Sequence, residues 1–255
     1  RLEIYRVYAK EMVSRGNAYP CFISQEELEE IRKKQEEQGV RTGYYGRWAK
    51  WRDASIEDIQ ERIERGEKFV IRLYSTGDFE KTFSFKDMIK GGVTLRENDM
   101  DAVLIKSDGF PTYHFAHPID DMLMGITHAI RGDEWFASVP LHIELFTKLG
   151  FSQIPYAHIS PIMKLDNGNK RKLSKRKDPE AAVSYYVENG YPKEGVLAYL
   201  LNIANSNFYD WRIQNTESSL EEFNLKIEKF NKSGALFDII KLDDMCKEYM
   251  AKLTA

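Results

Sequence analysis

The sequence predicts an α/β fold, and its second half carries that prediction. Residues 102–105 form a continuous apolar run, as in the buried strands of parallel sheets. Helical, extended and helical segments follow through about residue 149, and a second apolar run occupies residues 159–163. Strands that alternate with helices in this way form half of a doubly wound sheet.

The first 97 residues predict helices mixed with a small antiparallel sheet. Apolar residues recur at helical spacing over residues 2–13, and Gly16 ends that helix. Ser24 and Glu27 form a capping-box pattern for a charged second helix, and a third runs between residues 55 and 66.

Two extended segments in this region predict a hairpin. Residues 68–74 are rich in β-branched and aromatic residues, residues 75–78 form a turn, and residues 81–85 are the expected partner strand. After Pro179 the pattern is mainly helical, with helices expected over residues 179–188, 194–204, 220–225 and 241–253.

Composition is that of a globular protein with one large domain or two smaller ones. Hydrophobic residues make up 42% and charged residues 30% of the 255 residues. No apolar run of about 20 residues and no signal peptide is visible, so we expect no membrane partner. Cys21 and Cys246 are too far apart in sequence to suggest a disulfide framework, which fits a reducing cytoplasm. With a net charge of -3, nucleic-acid binding would require local basic surfaces.

The strongest local signal is a basic segment that we call the basic loop, residues 164–177. Seven of its fourteen residues are Lys or Arg, and Asp166 is its only acid. Ser174 and the backbone around Gly168 add hydrogen-bond donors, a combination that suits a polyphosphate. On composition alone, a solvated loop, a localisation signal or a nonspecific nucleic-acid patch is more common. The apolar run before the loop and the helix after it favour a phosphate site, because ligands gather at the carboxyl ends of strands.

Other candidate residues favour structural roles when each is considered alone. Arg131 fits a surface ion pair, Tyr113 a core aromatic, and Glu134 a helix N-terminus. Ile162 and Met163 fit a strand core equally well. The remaining candidates are polar: Asp120 and Asp121 suit Mg²⁺ but more often brace a helix, and His114, His128, His142 and His158 show no metal or relay spacing.

A family resemblance changes these expectations. Residues 172–176, Lys-Leu-Ser-Lys-Arg, are similar to the KMSKS signature loop of class I aminoacyl-tRNA synthetases in its glutamyl-tRNA synthetase variant. Residues 106–116, 120–128 and 130–135 resemble the same family in the same order. The resemblance extends from Arg1 to about Tyr249.

The resemblance implies three modules. Residues 1–97 resemble the inserted acceptor-binding domain, 98–163 the second half of the Rossmann-like nucleotide-binding fold, and 164–255 the signature loop with the helical stem-contact domain. The family's HIGH segment and anticodon-binding domain would lie outside these 255 residues. We therefore expect a central portion of a longer enzyme that cannot form glutamyl-adenylate alone.

The resemblance also implies roles for individual residues. The expected catalytic residues are Lys172, Ser174, Lys175 and Arg176. The expected ATP-binding residues are Glu134, Ile162, Met163, Lys172, Lys175 and Arg176. The expected glutamate-binding residues are Tyr113, His117 and Arg131, although His117 stands where some relatives have asparagine.

The implied activity is ATP-dependent ligation of L-glutamate to tRNA through glutamyl-adenylate. ATP with Mg²⁺, L-glutamate and the tRNA acceptor stem are the expected partners of a cytoplasmic monomer. Of the four zinc positions of some relatives, Cys21 fills one, whereas Ile23, Trp48 and Lys50 fill the others, so no zinc is expected. The alternatives are a glutaminyl-tRNA synthetase, a glutamyl-queuosine-type relative, or a non-catalytic tRNA-binding fragment.

Overall fold

The computed structural model describes residues 1–253, which form two compact units. Unit 1 comprises residues 1–85, 92–129 and 137–155. Unit 2 comprises residues 86–91, 130–136 and the chain from residue 156 onward. The last two residues of the expected module 164–255, Thr254 and Ala255, lie outside the described residues.

The helices of unit 1 are α1 (Leu2–Ser14), α2 (Gln25–Glu37), α3 (Ile56–Glu64), α4 (Tyr113–Leu123) and α5 (Val139–Leu149). The strands of the chain are β1 (Ala18–Cys21), β2 (Val70–Leu73), β3 (Thr82–Asp87), β4 (Gly91–Arg96), β5 (Val103–Ile105), β6 (Ala129–Gly132), β7 (Tyr156–Ile159), β8 (Met163–Asp166) and β9 (Asn169–Lys172). The first three helices confirm the sequence prediction. At the start of α2, the Ser24 side chain accepts from the Glu27 backbone and the Glu27 carboxylate accepts from Ser24.

The hairpin predicted between residues 68–74 and 81–85 is wrong. Strand β2 lies between β1 and β5 in an antiparallel sheet of order β1-β2-β5, so neither of its edges is open to residues 81–85. Strand β3 pairs with β4 instead. The parallel neighbour expected for residues 102–105 is also not observed within residues 1–253, because β5 pairs antiparallel with β2.

One apolar cluster joins these elements of unit 1. It is built from buried residues of α1, α4 and α5 and of strands β1, β2 and β5, and its fully buried members include Leu73, Leu104, Phe115, Ile119 and Leu145. Burying each side chain of this size stabilises the fold by about 1.5–3 kcal/mol. The sheet and α4 are therefore fixed relative to one another, and α4 carries Tyr113 and His117.

Unit 2 contains two strand pairs, β6 with β7 and β8 with β9. The single strand expected over residues 159–163 is interrupted, because β7 ends at Ile159 and Pro161 has no backbone N–H to continue a ladder. Strands β8 and β9 form an antiparallel hairpin around Asn167 and Gly168, whose φ angles are 50° and 81°. Positive φ at both turn positions favours Asn-Gly, so the basic loop begins as a hairpin.

The helices of unit 2 are α6 (Val183–Glu188), α7 (Lys193–Ala204), α8 (Phe208–Gln214) and α9 (Ile239–Ala251). The helix predicted over 179–188 is broken, since a 3₁₀ turn (Pro179–Ala181) and extended Ala182 precede α6. The helix predicted over 220–225 is only a 3₁₀ turn, and α8 was not predicted. Helices α7 and α9 pack closely at Gly195, where glycine leaves the space that the approach requires. A Cβ at this position would lie 2.7 Å from the Cys246 sulfur.

No helix within residues 1–253 has the length and apolar character needed to cross a membrane. The compact units do not coincide with the expected modules 1–97, 98–163 and 164–255. Those modules describe family relationships rather than contacts, and their boundaries stay a prediction.

The four positions that correspond to the zinc ligands of some relatives belong to unit 1. The Cys21 side chain is 1% exposed, packs with Tyr19, Tyr44 and Ala49, and donates to the Tyr44 hydroxyl at 3.6 Å. Lys50, at the last position, pairs with Glu27. Apolar packing and an ion pair thus connect segments that a tetrahedral metal would otherwise hold.

We expect this unit to fold without metal. Elemental analysis of the gently purified protein should give far less than one zinc per chain, and a chelator should leave its melting temperature unchanged. Stoichiometric zinc together with unfolding by the chelator would contradict this prediction.

Candidate active site

The basic loop is held by a buried carboxylate that follows it. The Asp178 side chain is 2% exposed and accepts two hydrogen bonds from the guanidinium of Arg171, at 2.6 and 2.8 Å. Lys164 Nζ lies 3.3 Å from the same carboxylate, and the backbone N–H of Ser174 donates to it at 2.8 Å. The bidentate pair with Arg171, the Ser174 N–H and Lys164 together hold the pKa of Asp178 well below its usual range, against the opposing effect of burial.

This Asp178 cluster divides the seven basic residues into two groups. Lys164 and Arg171 are neutralised inside it, because Lys164 also pairs with Glu180 and Arg171 also binds Asp166 at 2.6 Å. The remaining cations are Lys170, Lys172, Lys175, Arg176 and Lys177, and all five are exposed. The structure therefore separates cations that build the loop from cations that can meet an external anion.

The residues after β9 form a tight turn around Ser174. The carbonyl oxygen of Ser174 accepts from the backbone N–H groups of Lys177 and Asp178, at 3.0 and 2.8 Å. The Ser174 hydroxyl accepts from the backbone N–H of Arg176 at 3.4 Å. Ser174 thus shapes the turn, while Lys175 and Arg176 extend from it with no carboxylate at ion-pair distance among residues 1–253.

Lys172 connects the basic loop to the segment after β6. Its Nζ lies 2.9 Å from Oε1 of Glu134, and the two side chains are 56% and 52% exposed. The hydrogen bond from Lys172 lowers the pKa of Glu134. Glu134 lies in the first turn of a 3₁₀ helix (Asp133–Ser138), as its structural reading predicted, yet it also contacts a cation of the signature motif.

Ile162 and Met163 use much of their backbone within the protein. The N–H of Met163 donates to Ala235 at 2.8 Å, its carbonyl accepts from Phe237 at 2.7 Å, and the carbonyl of Ile162 accepts from Leu173 at 2.8 Å. An adenine contact from the Met163 N–H would have to replace an existing bond. Both residues are half-buried; Met163 begins β8, whereas Ile162 lies between β7 and β8, and their contact with ATP stays a prediction.

Arg131, on β6, lies against a buried chain of polar side chains. Its Nε donates to Nε2 of His158 on β7 at 3.0 Å, and Nδ1 of His158 lies 2.7 Å from the Asp87 carboxylate. The guanidinium also lies 4.7 Å from the centre of the Tyr156 ring, within cation–π range. The sequence analysis gave His158 only a structural role, and it did not predict these contacts of His158 with Arg131 and Asp87.

Lys90 fixes the segment that carries these groups. Its Nζ contacts Asp133 at 3.1 Å, the Ser160 hydroxyl at 2.5 Å and the carbonyl of Lys232 at 2.8 Å. Asp133 lies between Arg131 and Glu134 in sequence, so Lys90 restrains the backbone from which both project.

Within unit 1, Tyr113 and His117 lie on one face of α4 and stack, with ring centroids 5.8 Å apart and planes inclined by 10°. His117 Nδ1 lies 2.9 Å from Asp121, and its ring lies 4.7 Å from that of His142. His114 Nδ1 lies 3.0 Å from Nε2 of His142. These histidines form a cluster that the sequence spacing did not predict.

The adjacent carboxylates Asp120 and Asp121 have protein partners. Asp120 accepts from the Tyr5 hydroxyl at 2.8 Å on each oxygen, which ties α4 to α1. Because Asp121 binds His117, both support the helix-bracing interpretation rather than the Mg²⁺ interpretation.

Most of the predicted site residues belong to unit 2: Arg131, Glu134, Ile162, Met163, Lys172, Ser174, Lys175 and Arg176. Tyr113 and His117 belong to unit 1. The residues that contact predicted site residues or hold the basic loop, and that sequence reasoning missed, are Asp178, Asp87, His158 and Lys90. Asp178 could have been found, since it is the first acid after the basic loop.

Comparison with known proteins now decides the family. A family model described as tRNA synthetases class I (E and Q), catalytic domain, matches residues 1–244. The chain belongs to this family. Its α/β fold is accordingly that of a class I synthetase catalytic domain.

Known members of the family resemble the chain along its whole length. Glutamate–tRNA ligase of Acetivibrio thermocellus is 51% identical over 255 residues, which are 100% of this chain and 47% of the relative. That of Clostridium perfringens is 52% identical over 253 residues, 99% of this chain and 46% of the relative. The chain therefore spans about half the length of these class I relatives.

The chain is also similar to a solved structure of a glutamate tRNA ligase. The crystal structure of a glutamate tRNA ligase from Elizabethkingia meningosepticum in complex with its amino acid has a TM-score of 0.84 and 29% identity. The match covers 99% of this chain and 53% of that chain.

The Asp178 cluster predicts a pH dependence of stability. Because its folded-state pKa is lowered, Asp178 stabilises the fold above its unfolded value near pH 4 and loses that contribution as the pH falls further. We expect Asp178→Asn to lower the melting temperature at pH 7 and to flatten its decline between about pH 4 and 2.

The matched control is Asp244→Asn, since Asp244 pairs with Lys247 at 3.5 Å with both side chains largely exposed. It should leave both the melting temperature and its pH profile near those of the parent protein. Equal behaviour of the two variants would mean that the Asp178 contacts do not stabilise the loop.

Proposed function

We propose that the complete protein containing this chain ligates L-glutamate to tRNA at the expense of ATP, through glutamyl-adenylate. The supporting observation is the Lys172–Glu134 contact. It brings a cation of the signature loop against the segment that begins with Arg131, only three residues before Glu134. A phosphate-binding loop and a carboxylate-binding guanidinium on adjoining segments suit a reaction between a carboxylate and a phosphoryl group.

The exposed cations suit the first step of this reaction. When the glutamate carboxylate attacks the α-phosphorus of ATP and pyrophosphate leaves, negative charge builds up on the phosphate oxygens. We assign Lys175, Arg176 and Lys172 to these oxygens, since positioned cations stabilise developing charge more than the ground state. Ser174 contributes by shaping the turn that presents them.

The remaining assignments follow the family pattern. Glu134, Ile162 and Met163 would contact ATP, with Glu134 exchanging its bond to Lys172 for one to the nucleotide. Arg131, Tyr113 and His117 would bind glutamate, because a guanidinium matches a carboxylate fork and a phenol fixes its orientation. Mg²⁺ would arrive with ATP, and no zinc is needed.

We also propose the three modules. Residues 1–97 would bind the tRNA acceptor, 98–163 would complete the nucleotide fold, and 164–255 would carry the signature loop and contact the tRNA stem. The enzyme would act as a cytoplasmic monomer. The glutamate–tRNA ligase names of the relatives support glutamate as the substrate.

The deciding experiment is ATP–pyrophosphate exchange by the complete protein with tRNA present, followed by aminoacylation. Exchange should depend on glutamate and should not be supported by glutamine. Exchange with glutamine instead would indicate a glutaminyl-tRNA synthetase. Binding of tRNA without any exchange would indicate a non-catalytic binding protein.

A further inference from the structure

We propose that Asp87 and His158 are positioning residues that orient the guanidinium of Arg131 toward the carboxylate of the amino-acid substrate. This inference rests on the proposed function, because it concerns how the glutamate subsite is built. All three residues belong to unit 2.

The proton arrangement follows from the chemistry of the three groups. An arginine Nε–H can only donate, so Nε2 of His158, 3.0 Å away, must be an unprotonated acceptor. A neutral imidazole then carries its proton on Nδ1, which donates to Asp87 at 2.7 Å. The carboxylate thereby selects the tautomer that can accept from Arg131.

Asp87 is itself fixed. Its Oδ1 accepts from the backbone N–H groups of Ile89 and Lys90, each at 2.9 Å, and its Oδ2 from that of His158 at 3.2 Å. These bonds and the one from the His158 ring lower the pKa of Asp87 despite the opposing effect of burial. Asp87 is therefore an ionised carboxylate that is held in one defined orientation at the start of the series of hydrogen bonds that runs through His158 to Arg131.

The imidazole and the guanidinium are restrained by aromatic rings. Phe136 meets the His158 ring edge to face at 4.9 Å, and Tyr156 stacks on it at 5.8 Å. Tyr156 also lies beneath the guanidinium of Arg131. With Nε held by His158, a substrate carboxylate has to meet the Nη1 and Nη2 edge. Two contacts thus set the plane and the direction of that edge.

A purely structural role is the competing explanation, since Asp87 and His158 side chains are 0% exposed and their pair also joins the segment 86–91 to β7. The two explanations differ in what they require of Nε2. A structural role requires only a hydrogen-bond donor to the Asp87 carboxylate. A positioning role also requires a hydrogen-bond acceptor for Arg131 where Nε2 of His158 lies.

Two isosteric substitutions separate these requirements in the complete protein. His158→Gln places an amide oxygen near Nε2 and keeps an acceptor for Arg131. His158→Asn places an amide N–H near Nδ1, so it keeps the donor to Asp87 but removes the acceptor. We expect His158→Asn to raise KM for glutamate about tenfold or more, because a charge-assisted bond that holds Arg131 is lost. KM for ATP should change by less than about twofold, and His158→Gln should stay within about threefold for both substrates.

Equal effects of the two variants, or equal increases in KM for glutamate and ATP, would overturn the proposal. If His158→Asn does not fold, Asp87→Asn replaces it. This variant keeps the shape but removes the charge that selects the tautomer, and it should raise KM for glutamate selectively; an unselective rise would again overturn the proposal.

A second measurement does not depend on turnover. In ¹⁵N-histidine-labelled complete protein, the His158 resonances should show a protonated Nδ1 and an unprotonated Nε2 at neutral pH. A proton on Nε2 would exclude the bond from Arg131 and overturn the proposal. Failure of the proposed function would instead appear as wild-type protein with this tautomer but no glutamate-dependent exchange.

Discussion

Lys175→Ala in the complete protein should slow glutamyl-adenylate formation about 10²–10³-fold while leaving the fold intact. Removing one preorganised donor to a developing oxyanion typically has this effect. The Lys175 side chain is exposed and forms no ion pair within residues 1–253, so its loss should not disturb the Asp178 cluster that holds the loop. The rate is measured by glutamate-dependent pyrophosphate exchange at saturating substrates, with the melting temperature as a check on folding.

Lys177→Ala is the matched control. Lys177 is an exposed lysine of the same turn, two residues from Lys175 and outside the signature motif. Its replacement by alanine removes the same charge as Lys175→Ala does. Lys177→Ala should reduce pyrophosphate exchange by less than about threefold, because salt screens the effect of an exposed charge that does not contact the phosphates. Near-normal exchange by Lys175→Ala, or equal losses in both variants, would remove Lys175 from the catalytic residues.

The first three helices were the part of the fold that the sequence pattern predicted best. The apolar spacing of residues 2–13 and the capping box at Ser24 are local, and α1 and α2 formed as expected. Strand partners were not predictable in the same way. Strand β2 pairs with β1, about fifty residues earlier in the chain, and with β5, about thirty residues later, and nothing in the sequence of residues 68–74 identifies either partner.

Two features that were not predicted have clear signals in the sequence. Asn167-Gly168 is a strong short-range hairpin signal, and the β8–β9 hairpin that forms around it was not among the predicted elements. Pro161 marked the interruption between β7 and β8. These features depend on local backbone chemistry and were open to prediction.

For the candidate site, the sequence indicated residues that could meet substrates but not the contacts that hold them in place. The resemblance implied roles for Lys172, Lys175 and Arg176, which extend from the loop and whose roles stay predictions, but it did not indicate the groups that hold the loop. Asp178 and Arg171 pair through side chains across a turn, and Asp87 meets His158 across 71 positions of sequence. The contact between Asp87 and His158 depends on the tertiary fold, so periodicity and composition carry no record of it, whereas Asp178 is visible in the sequence as the first acid after the basic loop.

Arg131→Ala in the complete protein should raise KM for glutamate about 30-fold or more. Loss of one partner of a desolvated charge pair costs about 2–5 kcal/mol, and most of it should appear in the binding of the substrate carboxylate. KM for ATP should change much less, because Lys172, Lys175 and Arg176 are left in place. Both constants come from the same exchange assay, with one substrate varied at a time.

Arg131→Lys is the companion variant, since it keeps the positive charge but loses the planar fork and the Nε–H that donates to His158. It should show a similar rise in KM for glutamate if geometry is what matters, and near-normal KM if charge alone suffices. Unchanged or equally raised KM for glutamate and ATP in Arg131→Ala would mean that Arg131 only supports the β6–β7 segment. Glutamate recognition would then have to lie with Tyr113, His117 or residues outside this chain.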